Sequence, residues 1–134
     1  MKVMAFDFGL NRIGVATGHT DVKIAHPLAN ITGKNKFEKL DKITLLVNKW
    51  QPELLLVGMP SFGDDKIQLI ASIEKFARRL EHRFKLPLKF INEDYSSSDA
   101  ASLLNDQQIY GRSQVGFLDQ LSACAILSTY FNSL

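Results

Sequence analysis

Cysteine is almost missing from this sequence of 134 residues, because Cys124 is its only one. A single cysteine excludes an internal disulfide and a zinc site built from several cysteines. It is consistent with the reducing cytoplasm, where we expect the protein to act. Histidine is also scarce, and His19, His26 and His82 lack the spacing of metal ligands.

Long apolar runs are absent as well. None approaches the roughly 20 apolar residues of a membrane-spanning helix. Asp7 interrupts the apolar N-terminal stretch, so we expect neither a signal peptide nor association with a membrane. Positive and negative residues nearly balance, at 16 and 14, for a net charge of +2. Such a small charge permits nucleic-acid binding but does not argue for it alone.

The composition is typical of a globular protein, with 46% hydrophobic and 22% charged residues. Its length suits one domain with one core, so 1–134 is expected to form a single domain. Apolar runs predict strands over 2–8, 12–18, 25–32, 53–58 and 87–92. Apolar spacings of three and four predict helices over 35–50, 65–84 and 114–132, and a capping box at Ser96 predicts one from there to about 108.

The order of these segments predicts an α/β fold. A short turn over 9–11 makes the first two strands an antiparallel hairpin. Pro27 lacks an N–H group, so the third strand is expected either to lie at an edge of the sheet or to start at this residue. The later alternation of strand and helix implies parallel strands, which gives a five-stranded mixed sheet with helices on both faces. In such sheets, sites form at the carboxyl ends of the parallel strands.

Asp7 is a carboxylate within the apolar first strand. Alternation puts it on one face with Val3 and Ala5, and puts Met4, Phe6 and Phe8 on the other. Burying a carboxylate without a partner costs on the order of several kcal/mol. A metal ion, an Arg or Lys, or backbone N–H groups would supply that partner. The alternative is an Asp that caps the turn at Gly9.

Two further carboxylates stand beside apolar runs. Asp119 is the only charged side chain after Arg112, in a helix that is apolar on most sides. Its alternative role is a first-turn Asp that is stabilised by the helix N-terminus. Glu93 follows the last predicted strand, and its alternative role is a strand-end acid that faces water. Together the three acids are the oxygen donors that Mg²⁺ or Mn²⁺ selects.

Four motifs resemble those of the YqgF/RuvX family of RNase H-like nucleases, in the same order and over nearly the whole chain. The opening motif is Asp-Phe-Gly-Leu-Asn-Arg-Ile-Gly-Val-Ala over 7–16, and the second is Val-Gly-Met-Pro over 57–60. The third is Asn-Glu-Asp-Tyr-Ser-Ser over 92–97, and the fourth, within the closing helix, is Leu-Asp-Gln-Leu-Ser-Ala-Cys-Ala-Ile-Leu over 118–127.

The resemblance implies an RNase H-like fold and metal-dependent cleavage of phosphodiester bonds. It assigns the catalytic and metal-binding carboxylates to Asp7, Glu93 and Asp119. Two Mg²⁺ or Mn²⁺ ions about 4 Å apart can activate a water and stabilise the leaving oxygen of a phosphodiester. The roles assigned to family members are maturation of the 5′ end of 16S ribosomal RNA and resolution of Holliday junctions. We expect the first role here, with the second as the alternative.

The sequence departs from the family pattern where substrate would bind. Asp94 stands where the family usually has Arg, and the loop before Asp119, often rich in Lys, contains only Arg112. Arg12 is the main candidate for a phosphate contact, although a salt bridge to Asp7 or an exposed turn would also explain it. Ser96 and Arg112 complete the expected substrate-binding residues.

Two other classes of protein stay open. A nucleic-acid-binding module without catalysis would explain Asp94 and the weakly basic loops. A phosphate-transfer ATPase of the actin–hexokinase type uses a similar Asp-x-Gly hairpin, but it pairs two such domains. The expected partner is structured RNA or branched DNA. A junction has two-fold character, so a resolvase would act as a homodimer, whereas a nuclease that trims one RNA end need not.

Overall fold

The computed structural model describes residues 1–61, 63–92 and 112–134, and between 112 and 119 it describes the backbone alone. Five strands form one sheet in the order β3-β2-β1-β4-β5. The strands are β1 (Lys2–Phe8), β2 (Ile13–His19), β3 (Ala25–Ile31), β4 (Leu54–Met59) and β5 (Leu88–Asn92). The helices are α1 (Lys36–Trp50), α2 (Ile67–Phe84), which follows a 3-10 turn at Asp64–Lys66, and α3 (Arg112–Asn132).

The sheet is mixed, as the sequence predicts. β1 pairs antiparallel with β2, and β2 pairs antiparallel with β3. On its other side β1 pairs parallel with β4, which pairs parallel with β5. The carboxyl ends of β1, β4 and β5 therefore meet at one edge of the sheet.

The prediction for β3 is also confirmed, because this strand with Pro27 lies at an edge of the sheet. Proline cannot donate a ladder hydrogen bond, so it is tolerated there. The pairing of β3 with β2 shifts register between Val15 and Ala16, where Ala29 and Pro27 are the successive partners. This bulge lets the edge strand keep its pairing on both sides of the irregularity.

Helices cover both faces of the sheet, which confirms the predicted layers. On one face, α1 and α2 pack on a core that includes Met4, Phe6, Leu55 and Val57. On the other face, α3 packs on Val3, Ala5, Ala16, Leu54 and Leu56. Successive residues of β1 thus enter different cores, as strand alternation requires.

Apolar spacing places the residues from Phe37 to Trp50 in α1 and from Ile67 to Phe84 in α2 on inward stripes. Three of these residues are exposed instead, which corrects that expectation. One is Trp50, the last residue of α1, which is 37% exposed. Phe37 begins the apolar stripe of α1, yet its side chain is 65% exposed. Ile67 begins the stripe of α2 and is 52% exposed. Both lie in the first turn of their helix, whereas the buried residues of α1 are Ile43 and Val47, further along. The helix predicted over 96–108 lies outside the described residues. Within the part of the chain that is described, no helix has the length and apolarity needed to cross a bilayer.

Candidate active site

Asp7 lies next to the carboxyl end of β1, the central strand of the sheet. Its neighbour Phe8 packs against the core under α1 and α2, so Asp7 points to the opposite face, which α3 covers. The residue is half-buried, between the fully buried Phe6 and the turn at Gly9. A carboxylate in this position is shielded from water on the sheet side and open towards the sheet edge.

Asp7 belongs to a row of residues that crosses three strands. Its partner on β2 is Gly14, and the partner of Gly14 on β3 is Asn30. Ile31, the neighbour of Asn30, enters the core under α1 and α2, so Asn30 points to the same face as Asp7. Neighbouring strands are about 4.8 Å apart, so the backbones at Asp7 and Asn30 are about 10 Å apart.

Asn30 has an unusual environment. Its side-chain Oδ1 is buried and has no hydrogen-bond partner among the described residues. A buried acceptor that is left unpaired costs about 1–3 kcal/mol, so such atoms are rare in native proteins. Sequence reasoning missed this residue. The signal was available, because Asn30 is a polar side chain inside a strand whose neighbours Ala29 and Ile31 are apolar.

The turn between β1 and β2 fixes the position of Arg12. The backbone N–H of Gly9 donates to the carbonyl of Arg12 at 2.9 Å. A Cβ atom added at Gly9 would lie 2.7 Å from that carbonyl oxygen, so only glycine fits without a shift of the backbone. Lys39 Nζ of α1 donates to the carbonyl of Leu10 at 2.9 Å and ties the turn to the helix.

Arg12 is exposed at the end of this turn, five residues along the chain from Asp7. Neither Asp7 nor Arg12 is without an interaction partner in the structure. Arg12 thus occupies the sheet edge at which the parallel strands end. A guanidinium there can approach the phosphate of a substrate that enters from solvent.

Asp119 lies in α3, about two turns after Arg112, the first residue of the helix. The field of a helix N-terminus falls off within the first turn, so the first-turn explanation for Asp119 is wrong. α3 covers the face to which Asp7 points. The side chains of Asp119 and Arg112 lie outside the described part of the chain.

Glu93 and Ser96 also lie outside the described residues, which end at Asn92 before this gap. Asn92 is the last residue of β5, and its partner Met59 is the last residue of β4. The chain therefore leaves the sheet for Glu93 at the edge where Asp7 is found. Among the residues that the structure describes, this edge included, no group of three or more His, Cys, Asp or Glu side chains gathers into a metal site.

The donor chemistry at this edge suits a hard divalent cation. Asp7 offers carboxylate oxygens from a half-buried position, and the unpaired Oδ1 of Asn30 adds an amide oxygen in the same row. Mg²⁺ and Mn²⁺ prefer such oxygen donors and keep several waters. The only cysteine, Cys124 of α3, is buried in the apolar core on this face of the sheet.

The sequence pattern of a protein family described as "RuvX: Holliday junction resolvase" matches residues 1–133. A protein of Methylobacillus flagellatus named "Putative pre-16S rRNA nuclease" is 44% identical over 133 residues, which are 98% of this chain and 91% of that protein. A protein of Neisseria meningitidis with the same name is 43% identical over 129 residues, 96% of this chain and 85% of the relative.

Two solved structures share the fold. RuvC of T. thermophilus in complex with a Holliday junction substrate superposes with a TM-score of 0.58 at 13% identity, over 97% of this chain and 94% of that one. The Fowlpox virus resolvase in complex with Holliday junction DNA gives a TM-score of 0.59 at 11% identity, over 99% and 98%. At these identities the likeness establishes the fold alone, which is RNase H-like.

Proposed function

This chain belongs to the RuvX family, and on that basis we propose that it is a divalent-metal-dependent nuclease that hydrolyses phosphodiester bonds of structured nucleic acid. The observation that carries the proposal is the position of Asp7, half-buried at the carboxyl end of the central strand of an RNase H-like sheet. We treat 1–134 as one nuclease domain, since the family pattern matches residues 1–133.

Asp7, Glu93 and Asp119 are the carboxylates that we propose hold the ions. β1 and β5 run in the same direction with β4 between them, which supports a meeting of Asp7 with Glu93 at one edge. α3 covers the face of Asp7, which supports the approach of Asp119. Asn30 Oδ1 adds an oxygen to the same face, either towards an ion or towards an ordered water.

Bound Mg²⁺ or Mn²⁺, in a pair of ions, would lower the pKa of a water and stabilise the charge that develops on the leaving oxygen. The chain's own residues perform the remaining tasks. The carboxylates orient the site and compensate the positive charge. Arg12 binds a non-bridging phosphate oxygen from the exposed turn, and Ser96 and Arg112 are proposed as further contacts to the backbone of the substrate.

Precursor 16S ribosomal RNA is the substrate that we favour. The relatives with 43–44% identity carry that substrate in their names and match over nearly their whole length. A protein with this role would act in the cytoplasm, which the single cysteine also suits. The alternative substrate is a Holliday junction, which the family description names.

A cleavage assay with both substrates tests the proposal. Purified protein is incubated with precursor 16S RNA carrying its 5′ extension, or with a four-way DNA junction, in buffers that contain Mg²⁺, Mn²⁺ or EDTA. The oligomeric state is measured in the same buffer by sedimentation, because junction resolution requires a symmetric dimer.

Cleavage near the 5′ end of the RNA that needs the metal would support the favoured role. Symmetric cuts in the junction by a dimer would select the alternative. Salt-dependent binding without cleavage in either metal would overturn the nuclease and identify a binding module. That result would agree with Asp94, whose negative charge stands beside Glu93 where the family usually has Arg.

A further inference from the structure

We propose that a basic groove at the start of α1 binds single-stranded RNA next to the cleavage site. The groove is a pocket of about 280 Å³ on the face opposite to Asp7, at the same end of the sheet. Phe8 lines its floor, and Phe8 is the residue after Asp7 on β1. This inference rests on the proposed nuclease function and names where the RNA beyond the scissile phosphate would lie.

The charged residues that line the groove in the described part of the chain are all positive. They are Lys34, Lys36, Lys39 and Arg79. The net charge of the whole chain is only +2, so this concentration of positive charge is local. Phosphate groups are the complementary ligand, and their neutralisation supplies most of the affinity in non-specific nucleic-acid binding.

The acidic side chains on the neighbouring part of α1 are already paired. Glu38 accepts the backbone N–H of Lys34 at 2.9 Å, and its other carboxylate oxygen is 3.8 Å from Lys42 Nζ. Asp41 forms an ion pair with Arg83 at 3.3 Å. Within the described part of the chain, Arg79 has no carboxylate partner. Its guanidinium is therefore available to a ligand.

An exposed apolar residue lines the groove, and an exposed aromatic ring lies beside one of its lysines. Phe37 is 65% exposed, and Lys36 Nζ lies 5.3 Å from the centre of its ring. Leu10, at the tip of the β1–β2 turn, is 69% exposed. Single-strand binding proteins combine a positive groove with aromatic rings on which bases stack. Bases within a duplex are already stacked on each other, so this combination favours an unpaired strand.

The groove and the candidate active site are joined by the β1–β2 turn. Leu10 lines the groove, and Arg12 ends the turn on the side that leads to Asp7. Lys39 fixes this turn to α1 through the Leu10 carbonyl. An RNA strand bound at Lys36 and Arg79 would pass over the turn to reach Asp7. The groove would hold that RNA in place during cleavage.

Binding of a labelled single-stranded oligoribonucleotide of about 12 nucleotides tests the inference by fluorescence anisotropy. The full chain is used, with and without the double change Lys36→Ala and Arg79→Ala. The matched control is Lys49→Ala with Arg78→Ala, which removes the same charge from exposed positions on the same two helices outside the groove. Each salt-sensitive contact contributes about 0.7 to the slope of log affinity against log salt for a single strand.

We expect the groove variant to bind at least about tenfold more weakly, with the salt slope reduced by about 1.4, whereas the control changes less than about twofold. Phe37→Ala should also weaken binding about tenfold, and Phe37→Tyr should retain it, because Tyr keeps the stacking surface. Leu45→Ala is the control for that change, since Leu45 is an exposed apolar residue further along α1.

Equal affinity of the groove variant and the control variant would overturn the inference, as would a loss that appears only with single-stranded DNA. If the wild-type chain cleaves no RNA but the groove variant still loses RNA binding, the nuclease proposal fails and the groove stands. If cleavage is normal and the groove variant binds like the control, the groove fails alone. Far-ultraviolet circular dichroism checks that each variant is folded.

Discussion

Asp7 and Asn30 point to the same face of the sheet from strands that flank β2, with Gly14 in register between them. Glycine places no side chain in that interval, so the two oxygen-bearing groups face one space. The amide oxygen of Asn30 is buried without a partner among the described residues. Such an atom is costly unless a ligand, an ion or a water completes it.

The substitution Asn30→Ala tests whether the amide oxygen serves the cleavage site or the stability of the fold. Because it removes a buried acceptor that has no partner, the free energy of unfolding should change by less than about 1 kcal/mol. Cleavage should fall about 10- to 100-fold, as when an outer ligand of a metal site is removed. Urea unfolding and the cleavage rate measure the two effects. Asn48→Ala, at an exposed position of α1, is the control; full activity with a loss of stability above about 2 kcal/mol would contradict the assignment.

Asp7→Asn should reduce metal-dependent cleavage at least about a hundredfold, because it removes a charged oxygen that compensates the ions. The fold should persist, since Asn has nearly the same shape and its neutral amide is easier to bury. Calorimetric titration with Mn²⁺ should show weaker binding. Asp21→Asn, an exposed change in the turn after β2, should leave both measurements unchanged. Wild-type cleavage by Asp7→Asn would end the role proposed for this carboxylate.

Gly9→Ala should destabilise the chain by about 1–3 kcal/mol, because its Cβ would lie 2.7 Å from the backbone oxygen of Arg12. The turn must shift, and Arg12 shifts with it, so the KM for RNA should rise. Gly63→Ala is a matched control, since the contact of its Cβ in the described part of the chain is the side-chain oxygen of Asp65, at 3.0 Å. Equal unfolding midpoints for the two variants would show that the turn is less tightly fixed.

Burial raises the pKa of the Cys124 thiol from 9.0 to about 12. The unfolded chain loses this proton near pH 9 while the folded chain keeps it, so stability falls as the pH rises between about 9 and 12. The loss from this group approaches 1.4 kcal/mol per pH unit in that range. Cys124→Ala should give a flatter alkaline decline in urea unfolding curves. A decline identical to that of the wild type would exclude the thiol as its source.

The sheet could be predicted because its strands carry strong local signals. Alternation along β1 separates Val3 from Met4 into different cores, and Pro27 correctly indicates an edge. The exposure of Phe37 and Ile67 could not be predicted in this way. Periodicity tells which side of a helix is apolar, but it does not tell where the sheet beneath the helix ends.

The candidate site was only partly accessible to sequence reasoning. The face of Asp7 follows from strand alternation, because the period of two is exact. The sequence shows that Asn30 is a polar residue in an apolar strand, but only the strand register shows that it aligns with Gly14 and Asp7. Its missing hydrogen bond is a property of packing, and one sequence does not reveal which buried atoms lack partners. The roles of Glu93, Asp119, Ser96 and Arg112 stay predictions from the resemblance.

The proline in β3 also bears on how two copies of this chain could associate. Proteins that dimerise by continuing a sheet need an uninterrupted row of donors along the outer strand. Pro27 breaks that row, and the register shift beside it makes the edge strand irregular. If two copies bind a four-way DNA junction together, we therefore expect them to associate through a surface other than a sheet continued across β3.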